Sequence, residues 1–326
     1  MTILVTGATG HLGANLVRAL LERGQTVRAL IHRSRLGLDG LDVQCVKGAI
    51  DDPESLRPAF EGVEVVYHLA AMISIVGDPD GKVHQTNVVG ARTVAQVARE
   101  SGVRRMVHCS SVHAFDHTDV REIDEDHPRV TENTHDVSAY DLSKARGEAA
   151  VREQIEAGLD AVIVHPSGVI GPNDFRPSRI GKALLSMARG RLPAVTAGGY
   201  DWVDVRDVAS SMIAAAERGR TGQSYLRTNR YATLSEIGDR IGAITGKMKP
   251  LFALPLSLAK AVAPLGEAVA RLLDAEPLFT EESLAVLDTQ ARFDNRLARD
   301  ELGHDPRDLG TTLADTLRWF SDQGSL

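Results

Sequence analysis

Tyr140 and Lys144 are the two residues of this sequence whose types and spacing most clearly indicate chemistry. They lie in the segment YDLSK, within a helical pattern, so the i, i+4 spacing places both side chains on one helix face. A carbonyl carbon that receives a hydride must also receive a proton at its oxygen. A tyrosine hydroxyl can provide that proton when a neighbouring cation lowers its pKa. The pair therefore indicates acid–base catalysis, and the alternative is an ordinary pair of residues on an amphipathic helix.

The source of the hydride is indicated by the first thirteen residues, MTILVTGATGHLG. A short apolar strand breaks at Gly7, and the chain passes through Gly10 and Gly13 into a helical pattern. In such a turn one glycine makes the tight bend, another lets the backbone approach a pyrophosphate, and the third brings helix and strand together. The helix N-terminus adds free N–H donors. The arrangement predicts a bound dinucleotide, and a turn without a ligand is the alternative.

Alternating strands and helices must position these groups. Strands are predicted near residues 3–6, 25–34, 42–48, 64–71, 103–111 and 160–172. Helices are predicted between them, one capped by Asp52 with Pro53 at its first position and one capped by Ser138. The alternation predicts an α/β fold with a Rossmann-type, doubly wound parallel sheet covered by helices on both faces. Ligands bind at the carboxyl ends of such strands, where Gly7, Arg33, Ala70 and Ser111 fall.

The TGxxGxxG turn and the YxxxK pair together resemble the short-chain dehydrogenase/reductase superfamily. The pattern is similar to its extended branch, the NAD-dependent epimerase/dehydratase family, and especially to its dihydroflavonol reductase-like and hydroxysteroid dehydrogenase-like members. The resemblance covers most of residues 1–220. It implies that Tyr140 is the acid/base, that Lys144 lowers its pKa and holds the nicotinamide ribose, and that Ser111 orients the substrate oxygen. Asn87 is implied as a residue that anchors the backbone of the active site.

The same resemblance implies a set of cofactor-binding residues in the glycine turn, at the strand ends and in the segment HPSGVIGP. They are Gly7, Thr9, Gly10, His11, Leu12, Gly13, His32, Arg33, Ala49, Ile50, Leu69, Ala70, Ala71, Tyr140, Lys144, Pro166 and Val169. Family members commonly carry an aspartate where this chain has Ala49, so adenine must be recognised by backbone groups near Ile50. The second strand ends in IHRSR, with no carboxylate before Asp39. Because an arginine can pair with a 2′-phosphate, NADP(H) is favoured and NAD(H) is the alternative.

Seven residues are candidates for the substrate pocket: Met72, Ser74, His113, Phe115, Phe175, Tyr200 and Trp202. The mixture suits a fairly hydrophobic secondary alcohol or ketone. Tyr200 stands where sugar-nucleotide enzymes of the family often place an arginine for the diphosphate, although Arg176 and Arg179 could supply charge from another direction. A reductase or dehydrogenase is therefore favoured. The alternatives are a nucleotide-sugar epimerase or dehydratase with tightly bound NAD, and a non-catalytic NAD(P)-binding sensor.

Two domains are expected. Residues 1–165 plus about 201–225 form the dinucleotide-binding domain, and about 166–200 plus 226–326 form a smaller, mostly helical, substrate-capping lobe. The apolar segment 251–279 is interrupted by two prolines and shows no basic face, which favours a packed helix over a membrane-surface helix. The histidines of the 112–137 loop match no compact zinc pattern, so no metal site is expected.

The composition excludes several function classes. A net charge of −7 gives no reason to expect a nucleic-acid partner, and the expected partner is a small-molecule substrate. Two cysteines in strand-like runs, no signal peptide and no apolar run of membrane-spanning length favour a cytoplasmic protein. A homodimer is left open, because pairing through two surface helices is common in the superfamily.

Overall fold

A computed structural model describes residues 1–32, 34–118, 120–259, 261 and 291–326 of the chain. The strands are β1 (Thr2–Thr6), β2 (Thr26–Ile31), β3 (Gln44–Lys47), β4 (Val65–His68), β5 (Arg105–Cys109), β6 (Glu122–Ile123), β7 (Ala161–Pro166), β8 (Gly168–Ile170), β9 (Ala194–Thr196), β10 (Gly199–Asp204), β11 (Ser224–Arg227), β12 (Arg230–Thr233), β13 (Phe252–Leu254) and β14 (Arg292–Phe293). The α-helices are α1 (His11–Glu22), α2 (Pro53–Phe60), α3 (Lys82–His84), α4 (Gly90–Glu100), α5 (Ala139–Glu156), α6 (Arg179–Ala188), α7 (Val205–Arg218), α8 (Leu234–Thr245), α9 (Arg296–Leu302) and α10 (Leu309–Asp322). A π-helical turn, Gln85–Val89, joins α3 to α4, and a 3₁₀ turn, Val112–Ala114, follows β5.

A seven-stranded parallel sheet is the centre of the described fold, with the strand order β11-β7-β5-β4-β1-β2-β3. The chain enters the sheet at β1 and winds outward in both directions, which brings the ends of β1, β4 and β5 next to one another. Strands β4 and β7 are buried along their whole length because helices cover both faces of the sheet. The predicted Rossmann-type α/β fold is confirmed.

Each face of the sheet carries its own apolar cluster. On one face α1 and α7 pack together through side chains such as Leu16 and Met212. On the other face α2, α4 and α5 pack through side chains such as Leu56, Val94 and Val151. Burial of such side chains contributes roughly 1.5–3 kcal/mol each. Helix α5, which carries the tyrosine and lysine of interest, is therefore held firmly against α4 and the sheet.

Side chains fix the start of two helices. Asp52 accepts hydrogen bonds from the backbone N–H groups of residues 54 and 55, with Pro53 in the first position of α2. Ser138 and Asp141 form a reciprocal capping box at the start of α5. Both predicted caps are confirmed. The cap at Ser138 places Tyr140 in the first turn of α5, where the helix passes the carboxyl edge of the sheet.

A smaller sheet, in the order β12-β10-β8, lies with α6, α8 and α10 around a separate apolar cluster. Strand β10 belongs to this small sheet, whereas α7 packs on the large sheet and β11 forms its edge. The division into two domains at the predicted boundaries stays a prediction. Most of the apolar segment 251–279 lies outside the described residues. Among the described residues, no helix has the length and apolar character needed to cross a membrane.

Candidate active site

The glycine turn forms a cradle that leaves no room for side chains. Gly7 has a φ of +69°, and a Cβ atom there would lie 2.6 Å from the backbone nitrogen of Ala70 at the end of β4. A Cβ atom at Gly13 would lie 2.2 Å from the carbonyl oxygen of Gly7. No side chain caps α1 at Gly10, and the first turn of α1 carries no acidic residue. The N–H groups of this turn are thus available to an anion, so the cradle fits the pyrophosphate of a dinucleotide.

Two polar side chains of α1 donate hydrogen bonds to backbone carbonyl groups of the turn after β8. The Nε2 atom of His11 donates to the carbonyl oxygens of Gly171 (3.2 Å) and Pro172 (3.1 Å). Asn15 also donates to Pro172, at 2.9 Å. Burial lowers the pKa of His11, which fits a neutral imidazole acting as a donor. His11, predicted to bind the cofactor, therefore ties the cradle to the turn after β8, and the neighbouring Thr9 and Leu12 are half-buried.

The region predicted to hold adenosine is only partly described. His32 is exposed, and Arg33 lies outside the described residues. The N–H of Ala49 donates to the hydroxyl of Ser55 (3.0 Å), which in turn donates to the carbonyl oxygen of Ala49 (3.2 Å). The side chain of Ile50 packs over Gly90 at the start of α4. The backbone of Ala49, expected to recognise adenine, is thus already engaged within the chain.

The three residues implied as catalytic meet where α5 passes the end of β5. Ser111 follows β5 and accepts a hydrogen bond from the N–H of His113 (3.2 Å), and its hydroxyl lies close enough to Tyr140 to act on the pKa of that phenol. Lys144 is buried, with 5% of its surface exposed, and its Nζ donates to the carbonyl oxygen of Cys109 at 2.9 Å. The sequence spacing between Ser111 and Tyr140 is long, so only the topology brings these residues together.

Burial dominates the electrostatics of this group. It raises the pKa of Tyr140 above its ordinary value, and the hydrogen bond with Ser111 opposes that shift. Burial also lowers the pKa of Lys144. The lowering of the Tyr140 pKa by Lys144, predicted from the sequence, therefore has to overcome desolvation of the phenol.

Asn87 holds the loop after β4 against α5. Its Oδ1 accepts from the N–H of Met72 (2.7 Å), and its Nδ2 donates to the carbonyl oxygen of Met72 and to the hydroxyl of Ser143, both at 2.8 Å. Asn87 lies in the π-helical turn, a local distortion that is frequent at functional sites. A Cβ atom at Gly147 of α5 would lie 2.3 Å from the carbonyl oxygen of Asn87, so α5 approaches this turn closely.

The remaining predicted cofactor residues lie along the same edge of the sheet. Leu69 and Ala70 are half-buried at the exit of β4, and Ala71 is exposed. Pro166 is buried at the end of β7, and Val169 is half-buried in β8, where it pairs with β10 of the small sheet. The structure thus places these residues on the side of the sheet where the glycine cradle opens.

Two of the seven predicted pocket residues, His113 and Tyr200, are joined to the catalytic group, and two more, Met72 and Ser74, lie on the loop after β4. Met72 is 37% exposed on the loop held by Asn87, and Ser74 donates from the same loop to the carbonyl oxygen of Gly77 at 2.6 Å. His113 lies edge-on to Tyr140, with 5.4 Å between ring centroids. The Nε2 atom of His113 hydrogen-bonds the hydroxyl of Tyr200.

The other three aromatic residues occupy different places. Phe115 is buried in a core cluster and packs against His165. Trp202 is buried in the core of the small sheet, where its Nε1 donates to the carbonyl oxygen of Ala232 at 2.9 Å. Phe175 lies next to Gly37 and edge-on to Trp319. The structure therefore corrects the prediction for Phe115 and Trp202, which fill cores, and places Phe175 beside the loop after β2 rather than beside Tyr140.

Sequence reasoning missed Asp141, which accepts a hydrogen bond from Nδ1 of His113 at 2.8 Å. Its position three residues after the predicted cap Ser138 was a usable signal, since a carboxylate there completes a capping box. It also missed a buried ion cluster in which Glu148 binds His165, Arg129 and Arg152. Among the described residues, no group of three or more histidine, cysteine or acidic side chains is arranged to hold a metal ion.

Comparisons with known proteins agree with this geometry. The model of the NAD dependent epimerase/dehydratase family matches residues 3–229. Sterol demethylase protein B of Methylococcus capsulatus is 39% identical, with 100% of both chains covered. A putative dihydroflavonol 4-reductase of Synechocystis is 33% identical, with 98% of this chain and 94% of the relative covered. The crystal structure of gox2253 is 35% identical, with a TM-score of 0.86 over 100% of this chain and 99% of that chain.

The matched span contains the glycine cradle and the group formed by Ser111, Tyr140 and Lys144. Both full-length relatives exceed 30% identity across nearly the entire chain. The cradle fits a dinucleotide, and the sheet order is that of a doubly wound fold. The chain therefore belongs to the NAD-dependent epimerase/dehydratase family, the extended branch of the short-chain dehydrogenases/reductases, and is an NAD(P)-dependent oxidoreductase.

Proposed function

We propose that this enzyme transfers a hydride between NADP(H) and a secondary alcohol or ketone carbon of a small, fairly hydrophobic substrate, in the manner of a dihydroflavonol reductase. The observation that carries the proposal is the meeting of Ser111, Tyr140 and Lys144 at the carboxyl end of β5, beside the glycine cradle. A hydride donor whose pyrophosphate lies in the cradle and a proton donor at Tyr140 are the two components that carbonyl reduction requires.

In this mechanism the side chains have separate tasks. A nicotinamide bound at this edge of the sheet would supply or accept the hydride. Tyr140 gives a proton to the substrate oxygen during reduction and removes it during oxidation. Ser111, whose hydroxyl lies beside Tyr140, donates to the same oxygen and fixes its position. Lys144 stabilises the ionised phenol and would hold the cofactor ribose, and Asn87 keeps the loop at Met72 against α5.

Support for a hydrophobic substrate comes from the loop after β4. Met72, Ile73 and Val76 lie on this loop, which Asn87 holds at Met72, and they expose 37%, 63% and 60% of their surfaces. Exposed apolar side chains next to a polar catalytic group fit a substrate with a large apolar body. The names of the two relatives, a sterol demethylase protein and a dihydroflavonol reductase, refer to ring compounds of that kind.

A nucleotide-sugar epimerase or dehydratase is the second candidate, because the family includes both reaction types. Such an enzyme needs cationic side chains for a diphosphate. Tyr200 stands at the position where the family pattern places that arginine, and its hydroxyl is engaged by His113. Arg176 and Arg179 are exposed. The reductase is therefore favoured, and a non-catalytic sensor is disfavoured by the assembled catalytic group.

Preference for NADP(H) over NAD(H) is part of the proposal. It is supported by the sequence IHRSR at the end of β2, which offers arginines and no carboxylate. Dimer formation and a cytoplasmic location stay predictions.

The proposal is tested with a panel of apolar ketones and NADPH, followed by absorbance of the reduced nicotinamide. We expect Tyr140→Phe to lower turnover by about 10²–10⁴-fold while the affinity for NADPH is kept, because the ring remains and the transferable proton is lost. Tyr231→Phe is a matched control, since Tyr231 lies on β12 in the small sheet, on the face opposite to Tyr200. Near-full activity of Tyr140→Phe would contradict the assigned mechanism. Micromolar binding of UDP- or GDP-sugars, abolished in Arg176→Ala, would favour the epimerase instead.

A further inference from the structure

Three side chains from separate elements form a hydrogen-bonded chain beside Tyr140. Asp141 lies in the first turn of α5, His113 lies in the 3₁₀ turn after β5, and Tyr200 lies on β10 of the small sheet. The Nδ1 atom of His113 is 2.8 Å from Oδ1 of Asp141, and its Nε2 hydrogen-bonds the hydroxyl of Tyr200. The rings of His113 and Tyr200 are stacked, with 5.9 Å between centroids.

The chemistry of the partners fixes the direction of these hydrogen bonds. An ionised carboxylate can only accept, so Nδ1 of His113 carries a hydrogen. In the neutral imidazole Nε2 must then accept, and the hydroxyl of Tyr200 donates to it. The oxygen of Tyr200 then offers only lone pairs to any other partner. When His113 is protonated, both ring nitrogens donate, and the hydroxyl of Tyr200 is free to donate elsewhere.

Tyr200, the last of the three hydrogen-bonded side chains, lies at the reacting centre. The ring of Tyr200 covers Gly168, because a Cβ atom there would lie 2.6 Å from Cδ1 of Tyr200. Gly168 stands between Pro166 and Val169, the residues implied to border the nicotinamide. His113 lies edge-on to Tyr140 on the other side. The hydroxyl of Tyr200 is therefore near both the expected hydride donor and the expected proton donor.

A purely structural role explains this arrangement less well. Asp141 already caps α5 through Ser138, so the helix start does not depend on His113. The small sheet is also joined to the large one by hydrogen bonds from His11 and Asn15 to the turn after β8. A histidine aligned by a carboxylate and directed at a second hydroxyl is instead an arrangement that controls where a proton lies.

We propose that Tyr200, positioned by His113 and Asp141, binds a second oxygen group of the substrate close to the reacting carbon. The protonation of His113 then decides whether Tyr200 accepts from a substrate hydroxyl or donates to a substrate carboxylate or carbonyl. The proposal rests on the proposed function, because it assumes that the reacting carbon lies between Tyr140 and the nicotinamide. His113 and Asp141 are positioning residues in this scheme.

Several ionisable groups lie near His113. They are Tyr140 and Asp141 from α5, Tyr200 from β10, and His117 from its own loop. Burial, followed by the nearby Asp141 and Tyr140, raises the pKa of Tyr200 well above its ordinary value. Tyr200 therefore stays a neutral hydroxyl.

The test uses three ketones that differ only in the second oxygen group: decan-3-one, 1-hydroxydecan-3-one and 3-oxodecanoate. With NADPH, we expect Tyr200→Phe to raise KM for the two oxygenated ketones about tenfold more than KM for decan-3-one, the size of one hydrogen bond. Tyr231→Phe should leave the three KM values in their wild-type ratio. An equal change for all three ketones in Tyr200→Phe overturns the proposal.

The role of His113 is tested by the pH dependence of selectivity. We expect kcat/KM for 3-oxodecanoate, relative to that for 1-hydroxydecan-3-one, to rise as the pH falls, because protonated His113 makes Tyr200 a donor. In His113→Gln this relative shift should disappear, which a loss of packing alone would not produce. A selectivity ratio that is independent of pH in the wild type overturns the role of His113.

Failure of the proposed function is recognised separately. If the wild type reduces none of the three ketones, the assigned reaction is wrong, and the second oxygen site is judged from binding. Calorimetric titration of the NADP-loaded protein with 3-oxodecanoate should then show about tenfold weaker binding to Tyr200→Phe than to the wild type. Equal affinities, or no binding to the wild type, overturn the site.

Discussion

Acid should destabilise this protein through histidines that the fold keeps neutral. His68 and His304 expose only 1% and 2% of their surfaces. Burial, followed by the charge of Lys144, lowers the pKa of His68 to about 3. Burial, followed by the charge of Arg227, lowers the pKa of His304 to about 4. The ordinary pKa of histidine is 6.5. As the pH falls below 6.5, these two histidines therefore bind protons in the unfolded chain but stay neutral in the folded chain.

The size of the effect follows from these values. When a histidine has a lowered pKa in the folded state, its contribution to stability is fully present above pH 6.5. That contribution is lost as the pH falls toward the pKa of the folded state. Between pH 7.5 and pH 5.0 each histidine costs about 2 kcal/mol. Asp201 acts in the opposite sense, because burial raises its pKa to about 6. Its protonation at pH 5.0 therefore adds about 1 kcal/mol to the free energy of unfolding. From these three groups alone the net loss of stability is then about 2–3 kcal/mol, a large part of a typical stability of about 5–15 kcal/mol.

Urea unfolding at pH 7.5 and pH 5.0, at one ionic strength, measures this loss. In His304→Gln the difference between the two pH values should shrink by about 2 kcal/mol, whatever the variant does to stability at neutral pH. His135→Gln is the control, because the side chain of His135 is 81% exposed and its removal should leave the difference unchanged. The explanation is refuted if His304→Gln shows the same difference between the two pH values as the wild type.

Three further predictions concern the site. Asn87→Ala leaves the backbone of Met72 without its partner and removes one of the two hydrogen bonds of the Ser143 hydroxyl, which still donates to the carbonyl oxygen of Tyr140. We expect a loss of about 1–3 kcal/mol in urea unfolding and weaker NADPH binding by calorimetry, with Asn133→Ala on the exposed loop as the control. Gly147→Ala puts a Cβ atom 2.3 Å from the carbonyl oxygen of Asn87 and should lower kcat by displacing α5. The control is Ala149→Gly on the exposed side of α5, which should cost only about 1 kcal/mol of stability. Equal kcat values for the wild type and Gly147→Ala would show that α5 tolerates the added methyl group. Fluorescence titration at fixed salt should give a lower Kd for NADPH than for NADH, and tighter binding of NADH would contradict the interpretation of IHRSR.

The sequence carried enough information for the sheet and its helix caps because those signals are local. Asp52 and Ser138 are followed by the residues that complete each cap, and strand ends in a parallel sheet lie at one edge. That rule brings Ser111, at the end of β5, to this edge, and the packing of α5 against α4 and the turn after β5 brings Tyr140 and Lys144 to it. Residue spacing alone left the reaction open, and the family resemblance then indicated which reaction these residues catalyse.

Aromatic residues were harder to place because a pocket and a core both need them. Phe115 lies four residues after Ser111, yet its ring turns into the core against His165. Trp202 and Tyr200 are both on β10, on the same face by alternation, but Trp202 is buried whereas Tyr200 reaches His113. The two differ because Trp202 lies inside the apolar cluster formed with α6, α8 and α10, whereas Tyr200 only packs against that cluster. Two of those helices, α8 and α10, are distant from β10 in the sequence.

One of the two acid-sensitive histidines, His68, lies close to the catalytic lysine. His68 and His108 stack with 5.4 Å between centroids, and the charge of Lys144 acts against the protonation of both. Burial already lowers the pKa of Lys144, and a charged imidazole nearby would lower it further and weaken its hold on an ionised phenol. An uncharged pair of rings fills the space without competing for the charge that Tyr140 needs. Burial is the first cause of the lowered pKa of His68 and of His108, and the charge of Lys144 adds to it.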